Sequence, residues 1–198
     1  MGGFTDTNYY LLQNVCFYGK FNMFYNLEFY KTFTDILKEF GDRYKEKVAG
    51  YWFDCWYQIF EGFPDIPFED FFKATKTGNK DRIICLNSWI YPSVSPWQEY
   101  WAGEVASPVA LPVNGHMVGG PVPDLRYHAL LMMEPYWVQQ KPEHPDPRFT
   151  AGELSQYIRN CMANGGAVTI NMGIFQDGTV GEKALDVMKQ VRKNVRRN

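Results

Sequence analysis

The sequence predicts an α/β fold with parallel strands and covering helices, as an open sheet or a partial, incomplete (β/α)8 TIM-type barrel. Three observations predict it. Apolar segments of strand length alternate with amphipathic stretches of helical period along most of the 198 residues, the order that yields a parallel sheet under helical cover. The segment Arg82-Ile83-Ile84-Cys85-Leu86-Asn87 is continuously apolar at its centre, as a strand buried on both faces must be. About five strands are present, whereas a closed barrel needs eight and typically about 250 residues.

In chain order, residues 14–21 read as a strand through Val15, Cys16, Phe17 and Tyr18. Leu27, Tyr30, Phe33, Leu37 and Phe40 then recur at spacings of 3, 3, 4 and 3, an amphipathic helix stopped by Gly41. Residues 48–54 are the second strand. Residues 68–75 are a short helix, with Pro67 at its start and Gly78 after it. Residues 82–87 are the third strand. Residues 88–124 are rich in Pro, Gly and Trp and too long for an ordinary connection. The aromatics Trp89, Tyr91, Trp97, Tyr100 and Trp101 mark this stretch as an ordered, functional loop. Residues 127–133 are a fourth apolar segment, strand first and helix second, and residues 135–148 are again a Pro-rich loop. Thr150-Ala151-Gly152-Glu153 is a capping box that opens a helix through Ala163, with Leu154, Tyr157, Ile158 and Cys161 as its buried stripe. Gly165 and Gly166 end it, and residues 167–172 are the fifth strand. Thr179-Val180-Gly181-Glu182 is a second capping box, starting a last helix with Leu185, Met188, Val191 and Val195 inward. The whole reads as one domain over 1–198.

Composition removes several function classes. The net charge of −2 draws nothing to nucleic acid. The one cationic cluster, Lys189, Arg192, Lys193, Arg196 and Arg197, sits at a helix C-terminus, where cations oppose the helix dipole. No Gly-x-Gly-x-x-Gly or P-loop sequence is present, so no nucleotide cofactor is expected. Cys16, Cys55, Cys85 and Cys161 contain no Cys-x-x-Cys pair, and His116, His128 and His144 have no helical metal spacing, so no metal is expected either. Four cysteines still permit two disulfides. Met1-Gly2-Gly3-Phe4-Thr5-Asp6 lacks the pattern of a signal peptide, and no apolar run reaches membrane-spanning length. The chain is therefore expected to be soluble, with no membrane partner and no compartment indicated.

The most informative segment is Tyr51-Trp52-Phe53-Asp54-Cys55-Trp56, an aromatic run that ends on a carboxylate. An acid at the carboxyl end of a strand stands where α/β folds keep their chemistry. Carboxylate plus indoles also suits a carbohydrate: the acid attacks or protonates, and flat rings lie against the C–H faces of a pyranose. The aromatic share of 17% exceeds what a core of this size needs, which also points to rings lining a cleft.

These segments resemble one family. Tyr51-Trp52-Phe53-Asp54-Cys55-Trp56 resembles the Trp-Phe-Asp-Gly-Trp strand that carries the nucleophile of α-L-fucosidases, retaining glycoside hydrolases. Asn164-Gly165-Gly166-Ala167-Val168-Thr169-Ile170-Asn171-Met172-Gly173 is similar to their late Gly-Gly barrel strand, and Asp177-Gly178-Thr179-Val180 with Glu182, Ala184 and Leu185 is similar to the loop and helix after it. Phe17-Tyr18 and the helix to Phe40 resemble the elements before the nucleophile strand. The resemblance covers most of the chain in the right order, roughly the third to seventh strands of a (β/α)8 barrel. The first two strands and the last have no counterpart, and Cys55 replaces the usual glycine. It implies a partial barrel that would pair with another copy as a homo-oligomer, take missing strands from a separate chain, or aggregate.

The resemblance also implies roles. Asp54 would be the nucleophile that forms a covalent glycosyl-enzyme. Its partner, a general acid/base that must start protonated, would lie on a loop beyond that strand. Glu104 is the first choice, Glu99 the second and Glu134 the third. Trp52, on the same strand face as Asp54, would line the sugar pocket with Trp56. Tyr18 would reach the nucleophile from the preceding strand. Asn87 and Trp89 occupy the next strand end, where the family often has an arginine. The competing readings are a non-catalytic carbohydrate-binding or assembly protein and a truncated half-barrel that needs a partner.

Overall fold

The computed structural model describes residues 27–54, 56, 67–87, 95–105, 108, 110–117, 125–137 and 145–196. The predicted strand over 14–21, with Tyr18, and the positions Cys55 and Trp89 lie outside the described residues. Where the sequence reads as one domain, the chain divides into two compact units. One comprises Met1–Ala102 with Gly120–Leu125, the other Gly103–Gly119 with Arg126–Asn198.

In the first unit, α1 (Leu27–Tyr44) leads through a 3-10 turn at Lys45–Lys47 into β1 (Gly50–Phe53). Next come α2 (Phe68–Thr75) and β2 (Ile83–Leu86). The two strands pair in parallel, with Gly50 opposite Ile83 and Phe53 opposite Leu86. Helix α1 continues through Gly41, contrary to the expectation that this glycine stops it. Gly41 has a packing role instead. A Cβ there would stand 2.4 Å from the carbonyl oxygen of Thr77, so glycine lets the turn after α2 seat directly on the helix. The inward face is accordingly Tyr30, Phe33, Thr34, Leu37 and Gly41, and Phe40 lies outside against Tyr44, with ring centroids 4.4 Å apart.

Phe71 of α2 centres the core of this unit. Its ring lies 4.8 Å from both Phe53 and Trp56 and 5.9 Å from Phe33. Beside it Arg82 is completely buried. Its guanidinium donates to the carbonyls of Lys45, Val48, Thr75 and Thr77 and lies 4.9 Å from the ring centre of Tyr51. Carbonyl dipoles thus take the place of a carboxylate counter-charge. One side chain ties the entry to β1 to the end of α2.

In the second unit, β3 (His128–Met132), α3 (Ala151–Ala163) and β4 (Ala167–Asn171) form a parallel strand–helix–strand unit, followed by α4 (Glu182–Val195). His128 is opposite Ala167 and Met132 opposite Asn171. Residues 127–133 are therefore strand rather than helix. Ala129, Leu131 and Met133 are fully buried and alternate with half-buried Leu130 and Met132, the period of two that a strand imposes. The capping box at Thr150 forms, with Glu153 N–H donating to Thr150 Oγ1 at 3.2 Å and Thr150 N–H to Glu153 Oε2 at 2.9 Å. These bonds hold the Glu153 carboxyl below its ordinary range. The stripe Leu154, Tyr157 and Cys161 is buried, with Ser155 rather than Ile158 as its fourth member. The second predicted capping box does not form. Both the amide and the hydroxyl of Thr179 donate to Asp177 Oδ1, at 2.9 and 2.7 Å, an Asx turn, and Gly181 is the N-cap of α4. The buried residues of α4 are Ala184 and Val191, while Leu185 is exposed.

The residues 103–105 add a short parallel run on the other edge of β3. Leu130 N–H donates to Gly103 O at 2.7 Å and Val105 N–H to Leu130 O at 3.1 Å. The α/β class with parallel strands and helical cover is as expected from the sequence. The described strands make two parallel pairs and do not close a barrel. Among the described residues no helix is long and apolar enough to cross a membrane, and no group of three potential metal ligands is present.

Candidate functional site

Polar side chains gather at the carboxyl ends of both strand pairs, the end at which parallel α/β folds place their ligands. In the first unit, Asp54 is the first residue beyond β1 and is exposed; Asn87 is the first beyond β2 and only 3% exposed. Asn87 Nδ2 donates to Asp54 Oδ1 at 2.7 Å. The Asn87 backbone continues the ladder, its N–H donating to Phe53 O at 2.7 Å and its carbonyl accepting Trp56 N–H at 2.9 Å. Asn87 is thereby fixed at both backbone groups, and its amide orients one oxygen of the exposed Asp54 carboxylate. Parallel register explains the meeting: Phe53 is opposite Leu86, so each strand's next residue arrives at the same level.

Trp52 is half-buried, with its ring 6.4 Å from that of Tyr100, whose phenol is pushed well up by burial. Trp56 does not line an opening. It is 4% exposed and packed against Phe53, Phe68 and Phe71. This indole, two residues beyond Asp54, is part of the core.

The three candidate acids have three different settings. Glu99 takes Lys76 Nζ on both oxygens, at 2.8 and 2.7 Å, and the same ammonium reaches the carbonyl of Arg82. Its carboxylate is committed to a cross-link. Glu104 is not on an irregular loop; it pairs with Leu130 in the strand-like run beside β3 and is half-buried. Gly103 makes this possible. Its φ is +60° and a Cβ would stand 2.0 Å from His128 O, so only glycine brings the chain this close. Register puts Glu104, Leu130 and Thr169 on one face of the sheet, the face on which His128 Nε2 meets Thr169 Oγ1 at 2.9 Å. Glu134 lies just past β3, 2% exposed, and Oε2 accepts Gly173 N–H at 3.0 Å.

Glu134 has a sequence signal of its own. Glu134-Pro135-Tyr136-Trp137 follows a strand with an acid and two aromatics, the same signal that singled out residues 51–56. Asn171, at the end of β4, donates to Trp137 O at 3.0 Å and so pins this turn.

This arrangement of parallel strands and helices is shared with glycoside hydrolases of known structure. Similar solved structures include the endo-fucoidan hydrolase MfFcnA9 of glycoside hydrolase family 107, at TM-score 0.59 and 15% identity over 79% of this chain and 34% of that one. A substituted form of the endo-fucoidan hydrolase MfFcnA4, of the same family, gives TM-score 0.59 and 15% identity, with 79% and 29% covered. A provisionally assigned alpha-L-fucosidase from Bacteroides thetaiotaomicron gives TM-score 0.50 and 13% identity, with 81% and 39% covered. The chain thus spans about a third of the length of these structures. At such identities the shared property is the fold. No family model and no curated protein matches the chain.

Proposed function

We propose that the chain carries a glycoside hydrolase site acting on an α-L-fucoside or a related glycoside by the retaining route, with Asp54 as nucleophile. The observation that supports it best is the Asp54–Asn87 pair at adjoining strand ends, 2.7 Å apart, within a fold similar to hydrolases of fucose-containing substrates. In this reading Asp54 Oδ2 attacks the anomeric carbon while Asn87 holds Oδ1. The leaving oxygen takes the proton of a general acid, and water, giving its own proton to that same group, then releases the sugar. Trp52 offers its ring to the sugar. Tyr18 and Trp89 enter the proposal on resemblance alone. By resemblance the chain would be part of a (β/α)8 barrel, with the remaining strands supplied by another copy or a separate chain.

The test is the intact mass after incubation with a 2-fluoro-fucosyl fluoride, which traps a glycosyl-enzyme. An adduct of one sugar, absent in Asp54→Asn, is the expected result. A folded protein without an adduct counts against the reading and favours a non-catalytic carbohydrate-binding protein. The solution mass addresses the complementing chain: a well-folded 23.0 kDa monomer that forms the adduct has no need of one.

A further inference from the structure

We propose that Asn114 is a self-modification site, where the Gly115 nitrogen converts the side-chain amide to a carboxyl group, and that a second Asn-Gly turn locked against it governs the rate. The chain contains two Asn-Gly sequences, Asn114-Gly115 and Asn164-Gly165. Asparagine is thermolabile, and a following glycine leaves its own nitrogen unobstructed. In the step, the Gly115 nitrogen bonds to Asn114 Cγ and the Cγ–Nδ2 bond breaks. The amide proton of Gly115 departs with the nitrogen of the side chain as ammonia. Water then opens the five-membered imide at either carbonyl, leaving aspartate or isoaspartate. No other reactant is needed.

The two turns interlock within the second compact unit. Asn114 and Gly115 make the tight turn between the bridged residues Val113 and His116, at φ +50° and +81°. Gly115 N–H donates to Asn164 O at 2.6 Å, and Gly115 O accepts Tyr127 N–H at 2.8 Å. A Cβ on Gly165 would stand 3.0 Å from Gly115 Cα and 3.2 Å from Gly115 N, so the turns meet this closely because both are glycine. The two asparagines are held to different degrees. Asn164 Nδ2 donates to Asn160 O at 2.8 Å and Gly165 N–H to Met162 O at 3.0 Å. Both of its reacting groups are thus tied to the last turn of α3. Asn114 is exposed, and among the described residues no hydrogen bond holds its side chain. Only the Gly115 nitrogen is tied there, and a bonded N–H must first open to lose its proton. The rates should therefore fall in one order: either sequence in the unfolded chain, then native Asn114, then native Asn164. None of this depends on the role proposed for Asp54.

Peptide mass mapping of the full chain, incubated in mildly alkaline buffer with and without denaturant, tests it by following the mass gained as an amide becomes a carboxyl. In denaturant the two sites should react at similar rates, because the residue after each asparagine is the same. In the native chain Asn114 should react about fivefold or more slowly than in denaturant, and Asn164 about fivefold or more slowly again. Gly165→Ala, which also removes the second Asn-Gly sequence, should break the lock and raise the native Asn114 rate toward the denatured one. The wild-type comparison needs no variant, so it decides the matter should Gly165→Ala unfold. Native Asn164 that reacts as fast as native Asn114 overturns the proposal. So does an Asn114 rate that is the same in both states, an Asn114 that stays intact in the native chain while the denatured chain converts, or a folded Gly165→Ala with the wild-type rate.

Discussion

Replacing Gly103 with alanine should unfasten the run that carries Glu104. Two costs combine. A φ of +60° is left-handed, and a non-glycine residue there loses about 1 kcal/mol. The added Cβ would also stand 2.0 Å from His128 O and 2.9 Å from Ala129 Cα. Both are backbone atoms, so no rotamer change relieves the overlap. The run must withdraw, and it then loses Leu130 N–H to Gly103 O and Val105 N–H to Leu130 O, each worth about 1 kcal/mol. The expected destabilisation is about 3 kcal/mol. Gly178 supplies the control: its φ is +85° and nothing lies within 4 Å of a Cβ built there, so Gly178→Ala should lose only the conformational part, about 1 kcal/mol. Native-state hydrogen exchange at the Leu130 and Val105 amides reads the effect locally, without requiring the two compact units to unfold together. Equal protection in the two alanine variants would refute the steric argument.

Arg82→Met removes the donors of four carbonyls. Even with the guanidinium's own desolvation relieved, it should destabilise the first unit by about 3 kcal/mol or more; a denaturant midpoint unchanged from wild type contradicts this. Asn87→Ala removes a hydrogen bond to a carboxylate worth about 1.5–3 kcal/mol. If Asp54 is the nucleophile, the trapped adduct should form about 10- to 150-fold more slowly in the folded variant; an unchanged rate removes Asn87 from the site. Burial pushes the Tyr30 phenol up to about 12, and those of Tyr51, Tyr100, Tyr127 and Tyr157 upward as well. The folded protein therefore keeps protons that the unfolded chain gives up from about pH 10. Stability should be full below about pH 10 and fall as pH rises through about 12; melting temperatures that stay level across that window refute it.

Local signals carried most of the secondary structure. Pro67 and Gly78 bracket α2 because one fixes φ at a helix start and the other allows a turn past its end. Thr150 caps α3 because its hydroxyl accepts the amide of Glu153 while the Glu153 carboxylate accepts the amide of Thr150. The misreadings have equally definite causes. Gly41 looked like a stop because propensity was the only visible cost, while its reason is the approach of Thr77, thirty-six residues on. Thr179 has the capping pattern, but Asp177 sits closer and takes both donors. Trp56 looked like a pocket ring because sequence does not say where the chain turns after Asp54. Asp54 and Asn87 were both legible as strand-end residues, and only the parallel register shows that they touch. The setting of Glu134 was hidden because its partner, Gly173, contributes a backbone N–H and no side chain.

Among the described residues each compact unit holds one fully buried thiol, Cys85 in β2 of the first and Cys161 in α3 of the second. A cysteine reagent reaches either sulfur only when the surrounding layer opens. Burial also pushes the Cys161 thiol up, which slows its reaction further. The chain thus carries an internal pair of clocks. Timed alkylation, with the label located by peptide mass, separates the opening of one half from that of the other without any engineered probe.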